Sequence, residues 1–195
     1  MAIDHDLELM LRVRQGDAES FDVLLDRHRK PLVAFFVRML RDPALAEDLA
    51  QEAFLRVYQA RRRYRPEAKF TTWLYRIATN LALNALRDRK GVRAVSGGDG
   101  DSSEGPALMD QLSDSRPTAE QEMMLSERER TIRQAVESLP DNQRAAVILH
   151  KYQGVDYRQI GNVLGVSESA VKSLLFRAYE NLRVRLDPLL RGGQI

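Results

Sequence analysis

The sequence YRQIGNVLGVSESAVKSLLFRAYENL, residues 157–182, decides the fold of the second half of the chain. Ile160 and Leu164 recur at helical spacing. Gly165 then permits a tight turn, and Ser167 can cap a second helix. Two short helices joined by a glycine-containing turn, the second with a polar N-terminal face, are typical of a DNA-reading helix-turn-helix. A plain helical hairpin is the alternative, and the agreement of spacing, glycine and cap favours DNA binding.

The start of the second helix holds the candidate DNA-reading residues, because a helix-turn-helix contacts base edges from that position. These small or polar residues are Ser167, Glu168, Ser169, Ala170, Lys172, Ser173 and Arg177. In the preceding helix, the small Gly161 permits the two helices to cross closely.

Residues 56–90 form a second unusual segment, in which basic and aromatic side chains alternate. It holds ten Arg and Lys residues against Glu67 and Asp88. Its aromatic residues are Tyr58, Tyr64, Phe70, Trp73 and Tyr75. This mixture suits a polyanionic ligand with bases that stack on rings, such as unpaired DNA. A solvated basic helix whose aromatic residues belong to the core is the alternative that composition leaves open.

Helical periodicity separates two faces in that segment. Thr71 or Thr72 is the expected cap of a helix running from residue 73 to about residue 89. One face is apolar and is expected in the core: Leu74, Ala78, Leu81 and Ala85. The other joins an indole, two amides and two basic groups: Trp73, Arg76, Asn80, Asn84 and Arg87. With Arg61 and Phe70, these residues are the candidate contacts to opened DNA, although Trp73 alone fits the core equally well.

A helix is predicted from Asp42 and Pro43, a capping acid followed by proline at the first helical position, to about residue 62. Its polar side holds four residues in one cluster: Asp48, Gln51, Glu52 and Leu55. One exposed leucine with a polar rim resembles a small docking patch. An ordinary solvated face with a stray leucine is the alternative.

The fold class expected is all-α, with two small helical domains joined by a flexible acidic linker. Residues 91–118 are rich in Gly, Ser, Asp and Pro and have no sustained period, which is typical of a linker. The N-terminal helical domain is therefore expected over residues 1–90, and the C-terminal helix-turn-helix domain over residues 119–195.

Composition narrows the function classes. The chain of 195 residues has no cysteine and three scattered histidines, so neither a disulfide framework nor a zinc site is expected. No apolar run approaches the ~20 residues of a membrane helix, and no glycine-rich phosphate loop is present. We therefore expect a cytoplasmic protein with no membrane insertion, no metal, no cofactor and no catalytic residues.

Two binding functions remain. One is a stand-alone helix-turn-helix regulator that binds duplex operators, and the other is a promoter-specificity subunit of a larger machine. A protein that binds only duplex DNA does not need aromatic residues among its arginines. The basic-aromatic segment therefore favours the promoter-specificity subunit.

Three stretches resemble one known family. They are DLAQEAFLRV at residues 48–57, FTTWLYRIATNLALNAL at residues 70–86, and the helical region 139–182. In this order they look like a bacterial RNA polymerase sigma factor of the extracytoplasmic-function (ECF) type, and the resemblance covers nearly the whole chain. It implies an alternative sigma factor of stress-response type that binds core RNA polymerase, directs it to specific promoters and helps open the DNA.

The resemblance also implies a role for each surface. The docking patch would bind the largest subunit of the polymerase. Residues 70–87 would recognise and melt the minus-ten element, with Asn80 at the non-template strand, and residues 167–177 would read the duplex minus-thirty-five element. An anti-sigma factor is the expected regulatory partner.

The chain departs from the family at several positions. Leu174 and Tyr179 stand where arginine is frequent, and Ser169 and Ala170 replace a frequent Gly-Thr. These departures affect which bases are read. The linker is compatible with both a compact and a splayed arrangement of the domains.

Overall fold

The computed structural model describes residues 5–96 and 119–191, and the side chains of residues 5–90 and 127–187. Every regular element in these residues is a helix. The elements are α1 His5–Gln15, α2 Ala18–Leu40, α3 Pro43–Ala60, a short 3-10 helix Arg61–Arg63, α4 Phe70–Ser96, α5 Ala119–Glu137, α6 Asp141–Gln153, α7 Tyr157–Leu164 and α8 Glu168–Arg191. The expected all-α fold is confirmed.

Helices α1 to α4 pack into an N-terminal bundle, with α2 in contact with the other three. Its centre consists of large apolar side chains with almost no exposed surface, as helical periodicity predicts. They include Met10, Leu24, Leu32, Phe35, Phe36, Met39, Phe70 and Leu74.

Local capping explains where α2 and α3 begin. The Asp17 carboxylate accepts from the backbone N–H of Ser20 at 3.2 Å. The Asp42 carboxylate accepts from Leu45 N–H at 3.0 Å, and Pro43 occupies the first helical turn. The predicted start of α3 is therefore confirmed.

The predicted cap of α4 is wrong. The helix begins at Phe70, and Thr72 is a buried residue inside its first turn. Phe70 is completely buried, so packing of its ring against the bundle determines where the helix enters. A threonine cap two residues later would need an extended backbone at a position that packing makes helical.

Helices α5 to α8 form the C-terminal domain, and α7 and α8 are its helix-turn-helix. Asp156 caps α7 by accepting from Gln159 N–H at 2.8 Å. Gly165 ends α7 in the left-handed conformation with φ 69°, which glycine adopts without strain. The Ser167 hydroxyl then accepts from Ala170 N–H at 3.2 Å and caps α8 as predicted.

The two domains touch, because α2 packs on α6 and α4 packs on α7. The α4 helix runs to Ser96, six residues beyond the boundary predicted at residue 90. The rest of the predicted linker, residues 97–118, lies outside the described residues, and α5 begins at Ala119.

Candidate functional site

The docking patch on α3 is exposed as predicted. Leu55 keeps 49% of its surface accessible, which is high for a leucine in the middle of a packed helix. Asp48 and Gln51 are exposed beside it, and Glu52 is half-buried in an ion pair with Arg56 at 2.7 Å. An apolar anchor inside a polar rim is the anatomy of a protein-binding surface.

A groove beside Leu55 enlarges this patch beyond what the sequence indicated. The groove has a volume of about 610 Å³ and lies between α2 and α3. Phe21, Leu25 and Tyr58 line it together with Leu55. The rings of Phe21 and Tyr58 are 5.0 Å apart, and the guanidinium of Arg61 lies 4.0 Å from the Tyr58 ring. The apolar spacing of Phe21 and Leu25 was visible in the sequence, but only the packing of α2 on α3 places them beside Leu55.

The polar face predicted on α4 is present. Arg76, Asn80, Asn84 and Arg87 are all exposed on this helix at intervals of three and four residues, so they line one side of it. Two amides between two guanidiniums offer donors and acceptors to base edges and positive charge to phosphates.

Most aromatic residues of the basic segment belong to the core, which corrects the expectation of a stacking platform. Tyr64, Phe70 and Tyr75 are at most 4% exposed. Trp73 is half-buried, with its ring 5.0 Å from the Tyr64 ring. Phe70 packs against the His28 ring at 5.4 Å and is completely buried, so in this arrangement its ring is not accessible to a base. The buried apolar area of these aromatic rings stabilises the bundle.

Arg61 also lies away from the α4 face. It belongs to the 3-10 helix that follows α3, donates to the Tyr58 carbonyl at 2.8 Å and is half-buried on the Tyr58 ring. In this arrangement its charge lies at the groove beside Leu55.

The candidate reading residues of α8 are exposed, except for the half-buried Ala170. Several of them contact one another. Lys172 pairs with Glu168 at 3.0 Å, and the Ser167 and Ser169 hydroxyls are 3.0 Å apart. Ser173 donates to the Ser169 carbonyl at 3.1 Å. These weak contacts lie within the predicted DNA-reading surface, whereas Arg177 is exposed further along the helix.

Two of the departures from the family pattern, Leu174 and Tyr179, have structural roles here. Leu174 is half-buried and packs against the hydrophobic core, where an arginine would lose hydration. The Tyr179 hydroxyl lies 3.0 Å from Nδ1 of His150. Burial raises the pKa of Tyr179, with a smaller contribution from Tyr157, so the hydroxyl stays protonated.

Within the described residues, no three His, Cys, Asp or Glu side chains are grouped to hold a metal ion. No helix in residues 5–96 and 119–191 is both long enough and apolar enough to cross a membrane.

Comparison with protein families identifies the chain. The family model for sigma-70 region 2 matches residues 24–92, and that for sigma-70 region 4 matches residues 125–182. The chain belongs to the sigma-70 family of RNA polymerase sigma factors. The first match covers α3 and most of α4, and the second covers the helix-turn-helix, so this sigma factor carries its candidate surfaces in the two family regions.

Curated relatives extend the match over the full length. The sigma factor is 35% identical to the RNA polymerase sigma-H factor of Pseudomonas aeruginosa, over 96% of this chain and 97% of the relative. It is 35% identical to the sigma factor CarQ of Myxococcus xanthus, over 92% and 97%. It is 31% identical to the ECF sigma factor SigW of Bacillus subtilis, over 94% and 100%. These relatives confirm the ECF resemblance.

Solved structures agree with the fold. The sigma factor RpoE of Bartonella quintana, solved with the anti-sigma factor NepR, superposes with a TM-score of 0.68 at 22% identity, over 87% of this chain and 98% of that one. CnrH, solved with the cytosolic domain of CnrY, gives a TM-score of 0.66 at 23% identity, over 95% and 99%. As an alternative sigma factor, the protein binds core RNA polymerase, directs it to promoters and helps open the DNA.

Proposed function

We propose that this sigma factor works through three separate surfaces. The docking patch around Leu55 binds core RNA polymerase, the α4 face from Arg76 to Arg87 holds the melted minus-ten element, and the start of α8 reads the minus-thirty-five duplex. The observation that carries the proposal is the exposure of all three surfaces on one chain, because each can meet its partner without unfolding a domain.

The chemistry of each surface supports its assignment. Leu55 and the adjoining groove offer apolar area with a charged rim, which suits a protein partner. The α4 face offers amides and guanidiniums for a displaced single strand, and unstacking a base costs a few kcal/mol that such contacts offset. The N-terminal part of α8 offers serines, a lysine and an arginine to the major groove.

The proposal also includes where the protein acts, that it is not an enzyme, and what controls it. The protein acts in the cytoplasm, where the polymerase is, and carries out no bond chemistry of its own. An anti-sigma factor controls it, as the complex of the sigma factor RpoE with the anti-sigma factor NepR suggests by analogy. Such a partner would cover the groove beside Leu55.

Run-off transcription tests the proposal directly. Purified core polymerase, the sigma factor and a pool of genomic promoter fragments should give start-site-specific transcripts that vanish without the sigma factor. A variant with both amides of the α4 face removed, Asn80→Ala with Asn84→Ala, should still bind core polymerase but give fewer transcripts. If the chain instead footprints a duplex as a dimer and yields no transcripts, it is a stand-alone regulator.

A further inference from the structure

The C-terminal domain contains a cleft beside the DNA-reading residues, and it shares only Glu168 with them. The cleft has a volume of about 440 Å³. It lies at the end of α6 and at the starts of α7 and α8, and the residues that line it are His150, Asp156, Tyr157, Arg158 and Glu168. A ligand bound here would touch both helices of the helix-turn-helix and the helix before them.

Three hydrogen-bond donors of this cleft have no partner among the described residues. The exposed Arg158 forms no ion pair with them, and the Tyr157 hydroxyl forms no hydrogen bond with them. Nδ1 of His150 lies 3.0 Å from the Tyr179 hydroxyl, which leaves Nε2 as the ring nitrogen without a partner in the described part of the chain. The cleft therefore offers a guanidinium, a phenol and an imidazole to a ligand from outside.

The two carboxylates beside those donors are already engaged. Asp156 accepts from the backbone N–H of Gln159 at 2.8 Å as the cap of α7, where the helix dipole offsets part of its charge. Glu168 pairs with Lys172 at 3.0 Å. Because the acceptors are used and the donors are free, the cleft suits an anionic ligand with several acceptor oxygens.

Tyr179 holds the His150 ring in either protonation state. A neutral imidazole accepts from the hydroxyl at Nδ1 and donates from Nε2, whereas a protonated imidazole donates from both nitrogens and the hydroxyl oxygen accepts. Burial raises the pKa of Tyr179, so the hydroxyl keeps its proton. The Tyr157 ring also contacts the imidazole, with 5.1 Å between the ring centres. His150 can therefore gain a proton without turning away from the cleft.

We propose that this cleft binds a backbone phosphate of the minus-thirty-five duplex, an inference that rests on the proposed reading of that duplex by the start of α8. Arg158, Tyr157 and His150 donate to the phosphate. The Tyr179 hydroxyl positions the imidazole. Glu168 belongs both to the cleft and to the reading residues, so a duplex that reaches one lies beside the other. A phosphate bound here fixes the register of α8 on the DNA, while base contacts read the sequence.

Phosphate binding at this cleft takes up a proton on His150. A phosphate close to the imidazole favours its charged form, because opposite charges attract. The Asp156 and Glu168 carboxylates act in the same direction, whereas Arg158 and the neighbouring Lys151 oppose it. By linkage, the sigma factor therefore binds the duplex more tightly as the pH falls through the range in which histidines titrate. Uptake of one proton changes the affinity by at most about tenfold per pH unit.

A scan of neutral phosphates tests where the cleft meets the DNA. A promoter recovered from the run-off pool is prepared as duplexes that each carry one methylphosphonate in the minus-thirty-five region. Their affinity for the sigma factor assembled with core polymerase is measured by fluorescence anisotropy. At one or two positions the methylphosphonate should weaken binding by the parent about fivefold or more. The double variant His150→Gln with Arg158→Gln should lose that sensitivity, and Arg183→Gln, exposed further along α8, should keep it.

The outcomes of the scan separate the cleft from the function on which it depends. Equal sensitivity of the parent and the double variant at every position would overturn the cleft proposal. If the ligand is a free anion, no single position stands out, which also contradicts it. Failure of the parent to bind the promoter would overturn the three-surface function and this inference with it. Arg158→Gln alone, a change at an exposed residue, repeats the test if circular dichroism shows that the double variant unfolds.

Tyr179→Phe tests the positioning of the imidazole. The variant keeps the aromatic ring but loses the hydroxyl, so promoter affinity should fall about twofold to fivefold when His150 is present. In a His150→Ala background the same substitution should change the affinity by less than about twofold. Equal losses in both backgrounds would overturn the positioning role of Tyr179.

The pH profile distinguishes a phosphate contact from a purely structural role of His150. The affinity of the parent divided by that of His150→Gln should rise about threefold or more between pH 7.5 and pH 6, since other groups of the polymerase cancel in this ratio. His150→Arg, which is charged at both pH values, should bind tightly at both. A constant ratio would show that His150 takes up no proton and would overturn the proposal.

Discussion

Leu55 is the side chain on which the proposed polymerase binding depends most. It is half exposed, it borders the groove formed with Phe21 and Tyr58, and nothing in the packing of the bundle requires an apolar residue there. A few well-packed side chains account for most of the binding energy at protein interfaces, and a charge placed in an apolar contact must be desolvated on binding.

Leu55→Asp should therefore weaken binding to core polymerase by at least tenfold while leaving the fold intact. Titration of labelled protein with core enzyme measures the affinity, and the thermal unfolding midpoint checks the fold. Val23→Asp is the matched control, because Val23 is a 44% exposed apolar residue on α2 outside the groove. Equal losses for both variants would point to a general effect of charge.

Asp42 gives a residue-scale prediction about pH. The backbone N–H of Leu45 lowers the pKa of Asp42 most, and Arg89, 2.5 Å away, lowers it further. A carboxylate with a depressed folded pKa adds stability above its unfolded pKa of about 3.9, and loses it as the pH falls through the folded value.

Asp42→Asn keeps the capping oxygen but removes the titration and the attraction to Arg89. The variant should unfold at a lower temperature than the parent at pH 7, and the difference should shrink between pH 5 and pH 3. Thermal unfolding followed by circular dichroism measures this. Asp26→Asn, on an exposed part of α2, serves as the control. A difference for Asp42→Asn that is constant with pH would contradict the assignment.

At the scale of secondary-structure elements, the sequence correctly predicted the helix caps that depend only on neighbouring residues. The caps at Asp42, Asp156 and Ser167 involve a residue and its neighbours three positions on, so their signals are complete in the sequence. The cap expected at Thr71 or Thr72 failed because burial of Phe70 overrides the local preference. The aromatic residues of α4 were ambiguous for the same reason, since a ring among arginines looks identical whether it stacks on a base or packs on a neighbouring helix.

The crossing of α7 and α8 depends on Gly161. A Cβ at this position would lie 2.8 Å from the Val166 carbonyl oxygen, which belongs to the backbone and cannot rotate away. Gly161→Ala should therefore destabilise the helix-turn-helix by about 1–2 kcal/mol, although alanine favours a helix interior. Hydrogen exchange of α7 and α8 amides measures the loss. The neighbouring Asn162→Ala, on an exposed position, should change stability by no more than about 0.5 kcal/mol. Equal protection in both variants would show that the helices cross further apart.

Arg177 tests how α8 meets DNA. If its guanidinium neutralises a phosphate, Arg177→Gln should reduce the slope of log affinity against log salt concentration by about 1. Binding of the sigma factor to the upstream duplex of a promoter recovered from the run-off pool gives that slope. Arg183→Gln, an exposed residue further along α8, should leave the slope unchanged. A normal slope for Arg177→Gln with weaker binding to one sequence only would indicate a base contact.

At the scale of the whole molecule, the relation between the domains was beyond the reach of the sequence. Arg144 and Met39 are 105 positions apart, and Tyr75 and Gln153 are 78 apart. No periodicity or cap connects residues at such separations, and the acidic linker allowed compact and splayed arrangements alike. The structure adds a junction in which the ends of α2 and α5 share one cation.

Arg144 therefore links the stability of the two domains. Arg144→Gln removes the guanidinium that serves carbonyls of both α2 and α5, and unpaired buried carbonyls cost about 1–3 kcal/mol each. Backbone amides in the last turn of α2, as well as those around α5 and α6, should lose protection from hydrogen exchange, although Arg144 itself lies in α6. Arg128→Gln, an exposed arginine on α5, should leave both ends protected. If protection is lost around α5 and α6 alone, the bond to Met39 does not form in solution, and the domains are independent.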